Sequence, residues 1–276
     1  MKSNSRPSTG LNFTDTTDKA AMVTRIRKPD WPRVMARLER RAAAGDIASI
    51  TDLGLTLADG IQDRNGRCIV RRNARYSVRL FRRAAEAGDP TAAGALGYAY
   101  DVGKGIPGDK ASALEWYRLA ARMGSTTAAS NIAMVYRDKG NLRRAHQWLL
   151  RTVEMGDGDA AVSAGYGYLY GIGVRRDVSS ARRMFRRALK GSDASPFGRE
   201  EALYNLAIAH VDTGNPRRAI PFLERANKDG DYPEAAALLA QIIARAELKP
   251  CRCRRDLYKH LRGHAKCPRH TVNGRR

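Results

Sequence analysis

Cysteine, aromatic residues and long hydrophobic runs are all scarce in this 276-residue sequence. Only four cysteines occur, three of them in the last 26 residues, so no framework of disulfide bonds holds the whole chain together. The longest apolar stretch, AAALLAQIIA from Ala235, is about half as long as a bilayer-spanning helix. The N-terminal residues contain no apolar run that would form a secretory signal. We therefore expect a soluble, cytoplasmic protein of bacterial type with no membrane span.

Aromatic and acidic residues are also few. Aromatic residues are 7% of the chain, whereas alanine and glycine abound, which favours close helix–helix packing over large β-sheets. The 28 Asp and Glu residues are outnumbered by 50 Lys and Arg, which gives a formal net charge of +22. The positive electrostatic potential of such a protein favours acidic partners, whether RNA, DNA, anionic lipid or an acidic protein surface. The charge alone does not distinguish among them.

Between residues 29 and 248 the sequence repeats, whereas residues 1–28 show no periodicity and are expected to form a disordered N-terminal segment. Each repeat ends in a glycine. Counting back from it, positions 11, 8, 7 and 4 are mostly apolar or small, which predicts one buried face of an α-helix, here called helix B. A terminal glycine fits a left-handed helix end. The glycines are Gly45, Gly88, Gly124, Gly156, Gly191 and Gly230.

A second helix, called helix A, precedes each helix B and places a small residue directly after an apolar one. Glycine inside a helix costs roughly 1 kcal/mol relative to alanine, so its recurrence here indicates that helix B approaches closely. The sequence thus predicts five helical hairpins, with a capping helix from Trp31 to Ala44 and another that includes Ala235. The small residues of the five helices A are Gly54, Gly97, Ala133, Gly165 and Ala207.

The connections between helices A and B differ. They are long in the second and fourth hairpins, short in the third and fifth, and extended in the first by the insertion GIQDRNGRCIVRRN. The long form resembles the Sel-one-like repeat, with the pattern LG-x-x-Y-x-x-G-x-G followed by KA-x-x-W-Y-x-x-AA-x-x-G, and the short form resembles the related tetratricopeptide repeat. The resemblance covers about residues 45 to 245. It implies an all-α fold, a right-handed α-solenoid of about five helix-turn-helix repeats with terminal capping helices. The matching residues of the second hairpin are Leu96, Gly97, Tyr100, Gly103, Gly105, Ala113, Trp116, Tyr117, Ala120, Ala121 and Gly124.

Signatures of catalysis are absent from the sequence, which has no P-loop, no GxGxxG after a strand and no nucleophile elbow. His210 stands at a core-facing repeat position and is interpreted as a packed side chain, and Cys68 as an ordinary thiol in a basic loop. The repeat family has hydrolytic relatives, but no residue here is a candidate nucleophile or base. We expect neither enzymatic activity nor a small-molecule substrate.

The resemblance also implies that helices A line a concave surface and that the residue after each small position faces it. We expect a peptide or protein partner to bind there through tyrosine and methionine anchors, with charged residues at the rim. The alternative is that some of these side chains pack between adjacent repeats. The residues after the small positions are Leu55, Tyr98, Met134, Tyr166 and Ile208, and one turn later stand Asp101, Arg137 and Leu169.

The last segment, residues 249–276, is basic and contains cysteine and histidine. It holds ten Lys or Arg and a single acid, Asp256. A Cys-x-Cys followed by a Cys-x-x-His offers four tetrahedral ligands for a structural zinc ion that would fold this short tail. A flexible basic tail with reactive thiols is the alternative. The candidate zinc ligands are Cys251, Cys253, Cys267 and His270.

Two functions follow from these patterns. The first is a non-catalytic scaffold or adaptor that binds a partner protein through the concave face. The second is a nucleic-acid-binding protein that uses the tail, with or without zinc, and an arginine ridge formed by pairs at the start of helices B. The alternative is that this ridge is an ordinary solvent-exposed surface, since no aromatic side chains on which bases could stack lie among the charges. The pairs are Arg143-Arg144, Arg182-Arg183 and Arg217-Arg218.

Overall fold

The computed structural model describes residues 30–191 and 193–245, and within them the chain is predominantly α-helical. A short 3₁₀ helix, Pro216–Ala219, leads into the penultimate α-helix. The twelve α-helices of these residues are α1 (Trp31–Ala43), α2 (Ile47–Asp59), α3 (Ala74–Glu86), α4 (Pro90–Val102), α5 (Lys110–Arg122), α6 (Thr126–Asp138), α7 (Leu142–Glu154), α8 (Gly158–Tyr170), α9 (Val178–Lys190), α10 (Pro196–Val211), α11 (Ile220–Ala226) and α12 (Pro233–Arg245).

Consecutive helices pack in pairs, in which α2, α4, α6, α8 and α10 are helices A, and α3, α5, α7, α9 and α11 are helices B. Helix α1 packs on α2, and α12 packs on α11. Helices A also contact one another across repeats, α2 with α4, α4 with α6 and α8 with α10. Within the described residues, no contact of similar extent joins successive helices B. Helices A therefore form the inner layer, and the predicted α-solenoid of five hairpins with terminal helices is confirmed.

Capping side chains begin most of the helices. The carboxylate of Asp89, for example, accepts a hydrogen bond from the backbone N–H of Thr91 at 2.8 Å, which satisfies a donor that the helix leaves free. The preceding Gly88 has φ +92°, as predicted for a left-handed helix end. Helices α1 to α10 all have such a cap, from Asp30, Asp46, Asn73, Asp89, Asp109, Ser125, Asn141, Asp157, Asp177 and Ser195.

Gly191 is an exception to the predicted left-handed ends, because its φ of −93° and ψ of 175° are extended. The chain does not turn directly into the next helix A here. It continues outward so that Ala194 lies against the first turn of α8, where a Cβ on Gly158 would lie 2.7 Å from the Cα of Ala194. Ser195 then donates from its backbone N–H to the Asp159 carboxylate at 3.0 Å. The insertion before α10 thereby anchors the fifth hairpin on the fourth.

The small residues of helices A allow the close approach that the sequence predicts. A Cβ added to Gly97 would lie 2.6 Å from Cδ1 of Tyr117, whose side chain is completely buried. The first and fourth hairpins repeat this arrangement with Gly54 against Phe81 and Gly165 against Phe185, each at 2.6 Å. The ring of helix B therefore occupies the space that a methyl group would take.

The insertion in the first hairpin contains a small β-hairpin, which the sequence analysis treated as a loop. Strands β1 (Ile61–Gln62) and β2 (Cys68–Val70) are antiparallel, with Gln62 opposite Cys68. Gly66 supplies the positive φ of the turn, +76°. Cys68 is exposed, but it belongs to a strand rather than to the loop in which it was placed.

The candidate partner-binding face

The inner layer presents a row of exposed apolar side chains, one from each of the first four helices A. Leu55, Tyr98, Met134 and Tyr166 have exposed fractions of 37%, 48%, 49% and 42%. Each follows the small residue of its helix, so the regular spacing of the repeats sets these four side chains in equivalent places. We call these four residues the inner row. Ile208, the fifth residue of the pattern, differs because it is half-buried and packs against the core of the fourth hairpin.

The charged residues expected at the rim have different surroundings. Asp101 is half-buried, and its carboxylate forms an ion pair with the ammonium of Lys110 from the next helix. Arg137 is exposed, with its Nε 3.9 Å from the carboxylate of Asp138. Of these two, only Arg137 extends into solvent without a close partner from another helix.

Leu169 was also placed on this face, and that interpretation is wrong. Its side chain is completely buried, as is most of Ala58, which occupies the same position in α2. The exposed position is one residue later, where Val102 and Tyr170 have exposed fractions of 53% and 46%. Since residues four apart lie on one face of a helix, the position four after the inner row is its true neighbour. Leu169 stands three residues after Tyr166 rather than four, so it does not lie beside the inner row.

Cations from the two long connections cover carboxylates at the edge of this face. Lys104, in the second hairpin, forms an ion pair with Asp59 at the end of α2, and its Nζ lies 6.0 Å from the centre of the Tyr98 ring. Arg176, in the fourth hairpin, forms an ion pair with Asp212 at 2.7 Å and donates from Nε to the Leu169 carbonyl at 2.9 Å. The long connections thus tie neighbouring helices A together beside the inner row.

Charge is divided unequally between the two layers. The five helices A contain two Arg and seven Asp or Glu, whereas the helices B, with the 3₁₀ turn before α11, contain eighteen Lys or Arg and four Glu. The inner layer is therefore acidic although the chain carries a formal net charge of +22. A net charge summed over the whole chain conceals this difference between the two helix types.

Several arginines of the predicted outer ridge are engaged in packing. Arg182 donates to the Ala209 carbonyl at 2.7 Å, and the guanidinium of Arg144 lies 5.5 Å from the centre of the Tyr136 ring. Arg183 donates to the Ser180 hydroxyl at 2.7 Å. Arg182 thus joins the fourth hairpin to the fifth, whereas Arg144 and Arg183 make contacts within their own hairpins, in addition to contributing positive charge.

The two described histidines, His146 and His210, are buried. His210 stacks on Phe222 with 5.5 Å between ring centres, which confirms its interpretation as a packed side chain. Burial lowers its pKa, and the charges of three arginines add to this effect.

Within residues 30–191 and 193–245, no three His, Cys, Asp or Glu side chains group so as to hold a metal ion. The predicted zinc ligands Cys251, Cys253, Cys267 and His270 lie outside the described residues, as do the N-terminal segment and the basic tail.

Two of the matches to known sequence families coincide with single hairpins, and the other two begin inside a hairpin. The Sel1 repeat matches residues 57–89 and 90–125, and tetratricopeptide repeats match residues 125–156 and 175–242. The chain is a Sel1 and tetratricopeptide repeat protein. The Sel1 repeat is the Sel-one-like repeat to which the sequence showed a resemblance, and the resemblance is confirmed.

A solved structure agrees with this assignment, and curated proteins match part of the sequence. The crystal structure of a Sel1 repeat protein from Oxalobacter formigenes is 25% identical, with a TM-score of 0.58, and the match covers 73% of this chain and 81% of that one. The ERAD-associated E3 ubiquitin-protein ligase component HRD3A of Arabidopsis thaliana is 30% identical over 159 residues, and the chitin synthase regulator SKT5 of Malassezia restricta is 30% identical over 125 residues. The matches cover 52% and 43% of this Sel1 repeat protein, but only 23% and 9% of those two proteins.

The names of these relatives describe a component and a regulator of enzymes, and repeat proteins of this type are scaffolds for protein interaction. None of the helices in the described part of the chain is both long and apolar enough to cross a bilayer.

Proposed function

We propose that this Sel1 repeat protein is a non-catalytic scaffold or adaptor that binds a partner protein or peptide through the inner face of helices A, in the cytoplasm. The observation that carries the proposal is the inner row. Four large apolar side chains stand exposed at equivalent positions in four successive repeats, where a solvated helix face would carry polar residues. Exposed aromatic and methionine side chains are typical anchors of protein interfaces.

The spacing of the inner row suits an extended or helical segment. Repeats stack so that equivalent residues of successive helices A form a continuous line, along which one peptide can place several anchors. The ion pairs of Lys104 with Asp59 and of Arg176 with Asp212 hold the helices that carry this line. A rigid row of this kind binds without a large loss of conformational entropy.

The test is a comparison of two triple variants in quantitative crosslinking capture from a lysate of the source organism. The Tyr98→Ala, Met134→Ala, Tyr166→Ala variant removes most of the inner row. A control variant, Ile69→Ala, Tyr76→Ala, Leu142→Ala, removes exposed apolar side chains from β2, α3 and α7, none of which is a helix A. We expect specific partners to be retained by the wild-type chain and the control and lost by the inner-row variant. Equal capture by all three proteins would contradict the proposal.

The second candidate function is nucleic-acid binding, and the charge of the outer layer favours it. Eighteen cations against four acids on the helices B form a sequence-independent phosphate-binding surface, to which residues 249–276 would add ten more cations. The test is titration of labelled single- and double-stranded nucleic acid with the full chain at several salt concentrations. Affinity that falls steeply with salt would support this function, and no binding near physiological salt would exclude it.

A further inference from the structure

Four tyrosines form a continuous aromatic surface at the C-terminal end of the inner layer, here called the tyrosine patch and defined as Tyr166, Tyr170, Tyr204 and Tyr232. The ring centres of Tyr166 and Tyr170 are 4.4 Å apart, and those of Tyr204 and Tyr232 are 5.3 Å apart. The two pairs belong to neighbouring repeats, because α8, which carries Tyr166 and Tyr170, packs against α10, which carries Tyr204. The charge of Tyr204 also contributes to the raised pKa of Tyr170, after burial and Tyr166. Tyr166 and Tyr170 are exposed, and the other two are half-buried.

Carboxylates without cationic partners surround the second pair. Glu200 and Glu201 stand four and three residues before Tyr204 on α10, so they share its face of the helix, and Glu234 stands two residues after Tyr232. Burial raises the pKa of Tyr232 to about 12, and the charges of these three glutamates add to that shift. Burial, with Asp159 nearby, also raises the pKa of Glu201. Among the described side chains, no lysine or arginine forms an ion pair with Glu200, Glu201 or Glu234.

The positive charge of the chain lies mostly elsewhere. Lysine and arginine outnumber acids by 50 to 28, but the five helices A carry two Arg and seven Asp or Glu, including Glu200 and Glu201. An aromatic surface bordered by unpaired carboxylates attracts a cationic side chain in two ways, through the faces of the rings and through charge. It repels phosphate and acidic peptide segments.

We propose that the tyrosine patch binds a basic segment of the partner, one in which arginine or lysine alternates with apolar residues. The apolar residues of that segment pack on Tyr166 and Tyr170, while its cations reach Glu200, Glu201 and Glu234. This inference rests on the proposed scaffold function and adds the charge of the segment that the face accepts. It also assigns opposite preferences to the two layers, a basic ligand for helices A and an acidic one for helices B.

The experiment uses the full chain and three labelled 12-residue peptides, of alternating Arg and Leu, Glu and Leu, and Arg and Ser, measured by fluorescence anisotropy. The test variant is Glu200→Gln, Glu201→Gln, Glu234→Gln. Its matched control is Glu86→Gln, Glu115→Gln, Glu154→Gln, which makes the same charge change at exposed positions on helices B. Circular dichroism verifies that both variants are folded.

We expect the Arg-Leu peptide to bind and the other two to bind weakly, because each lacks either the charge or the apolar side chains. The test variant should lose about tenfold in affinity, since three partly exposed ion pairs each contribute a small share. The control should change affinity less than twofold. Equal binding of the Glu-Leu peptide, or equal affinity of the test variant and the control, would overturn the proposal.

Two further outcomes separate this inference from the scaffold function. In the first, the double variant Tyr98→Ala, Met134→Ala weakens binding of the Arg-Leu peptide while the glutamate variant leaves it unchanged. In that case the scaffold function stands and the charge preference is wrong. If no peptide binds and no partner depends on the inner row, both proposals fail. A synthetic peptide of residues 249–276 that binds more tightly than the Arg-Leu peptide would make the chain's own C-terminal segment the occupant, and would overturn the assignment to a partner.

Discussion

One methyl group distinguishes the two ways in which helices A and B pack in this chain. The first, second and fourth hairpins combine glycine in helix A with an aromatic ring in helix B, as in Gly97 with Tyr117. The third and fifth combine alanine with leucine, Ala133 with Leu149 and Ala207 with Leu223. The two residues compensate in volume, so exchanging one member alone should disturb the packing.

Replacing Gly97 with alanine is therefore expected to destabilise the protein. The added methyl group would lie 2.6 Å from the buried Tyr117 ring, and such overpacking costs about 1–3 kcal/mol, which exceeds the gain of about 1 kcal/mol in helix propensity. Urea unfolding followed by circular dichroism measures the change.

Gly94→Ala is the control for this substitution, because it lies in the same helix and its added Cβ would meet no atom within 4 Å. We expect it to be neutral or to stabilise the protein by up to about 1 kcal/mol. Equal destabilisation by both substitutions would show that the Tyr117 contact is not the cause.

The buried histidines make stability depend on pH. His146 is 4% exposed, neither ring nitrogen has a hydrogen-bond partner among the described residues, and burial lowers its pKa. The pKa of His210 is lowered as well, by burial and by the charges of three arginines. Below pH about 6.5 the unfolded chain binds protons that the folded chain does not, so the free energy of unfolding should fall as the pH is lowered from 7.5 to 5.5.

The double variant His146→Phe, His210→Phe tests this assignment, because phenylalanine retains a planar ring and does not titrate. Urea midpoints measured at pH 7.5, 6.5 and 5.5 should change less with pH in the variant than in the wild-type chain. An unchanged pH dependence would mean that groups other than these two histidines are responsible.

At the scale of whole elements, arginines of helices B connect one hairpin to the next. Arg82 donates to the hydroxyl of Tyr100, and Arg118 donates to the hydroxyl of Tyr136, each at 2.8 Å. In both pairs the arginine lies 18 residues before the tyrosine, so the contact repeats with the architecture. The corresponding position before Tyr168 holds Leu150, which cannot donate.

Tyr136→Phe is expected to lower the free energy of unfolding by about 0.5–1.5 kcal/mol, the usual contribution of one hydrogen bond. Tyr168→Phe removes the same hydroxyl from a position without the arginine and should change stability by less than about 0.5 kcal/mol. Urea unfolding of the two variants measures the difference, and similar losses in both would argue against the arginine contact.

The helices themselves could be predicted because each buries a stripe of residues with helical spacing, as Ser77, Leu80, Phe81 and Ala84 do in α3. The β-hairpin of the first repeat could not be predicted, since its strands have only two and three residues. Its only sequence signal is the Asn65-Gly66 turn. Contacts between hairpins were also missed. Nothing in the local sequence shows that Lys104 pairs with Asp59 or that four tyrosines meet, because these contacts depend on how whole repeats stack.

At the scale of the whole molecule, the chain is a line of hairpins in which each unit is supported by its neighbours. Buried residues form three successive clusters along this line rather than one central core. Among the described residues, the first and last helices have neighbours on one side only: α1 buries Ala42 alone, whereas α8 buries eight of its residues. In such a molecule the stability of each unit depends on its own contacts and on those with its neighbours.

Local unfolding should accordingly start at the ends of the described solenoid. We expect backbone amides of α1 and α12 to exchange with deuterium at least 100-fold faster than those of α4 to α8, because opening a terminal helix exposes little buried surface and leaves the other hairpins intact. Hydrogen exchange of the full chain, measured by mass spectrometry on peptic fragments, provides the rates. Gly97→Ala should raise the rates in α4 and α5 more than in α10 and α11, because the strain is local. Uniform protection along the chain, or an equal rise in every hairpin, would instead mean that the five repeats unfold as one cooperative unit.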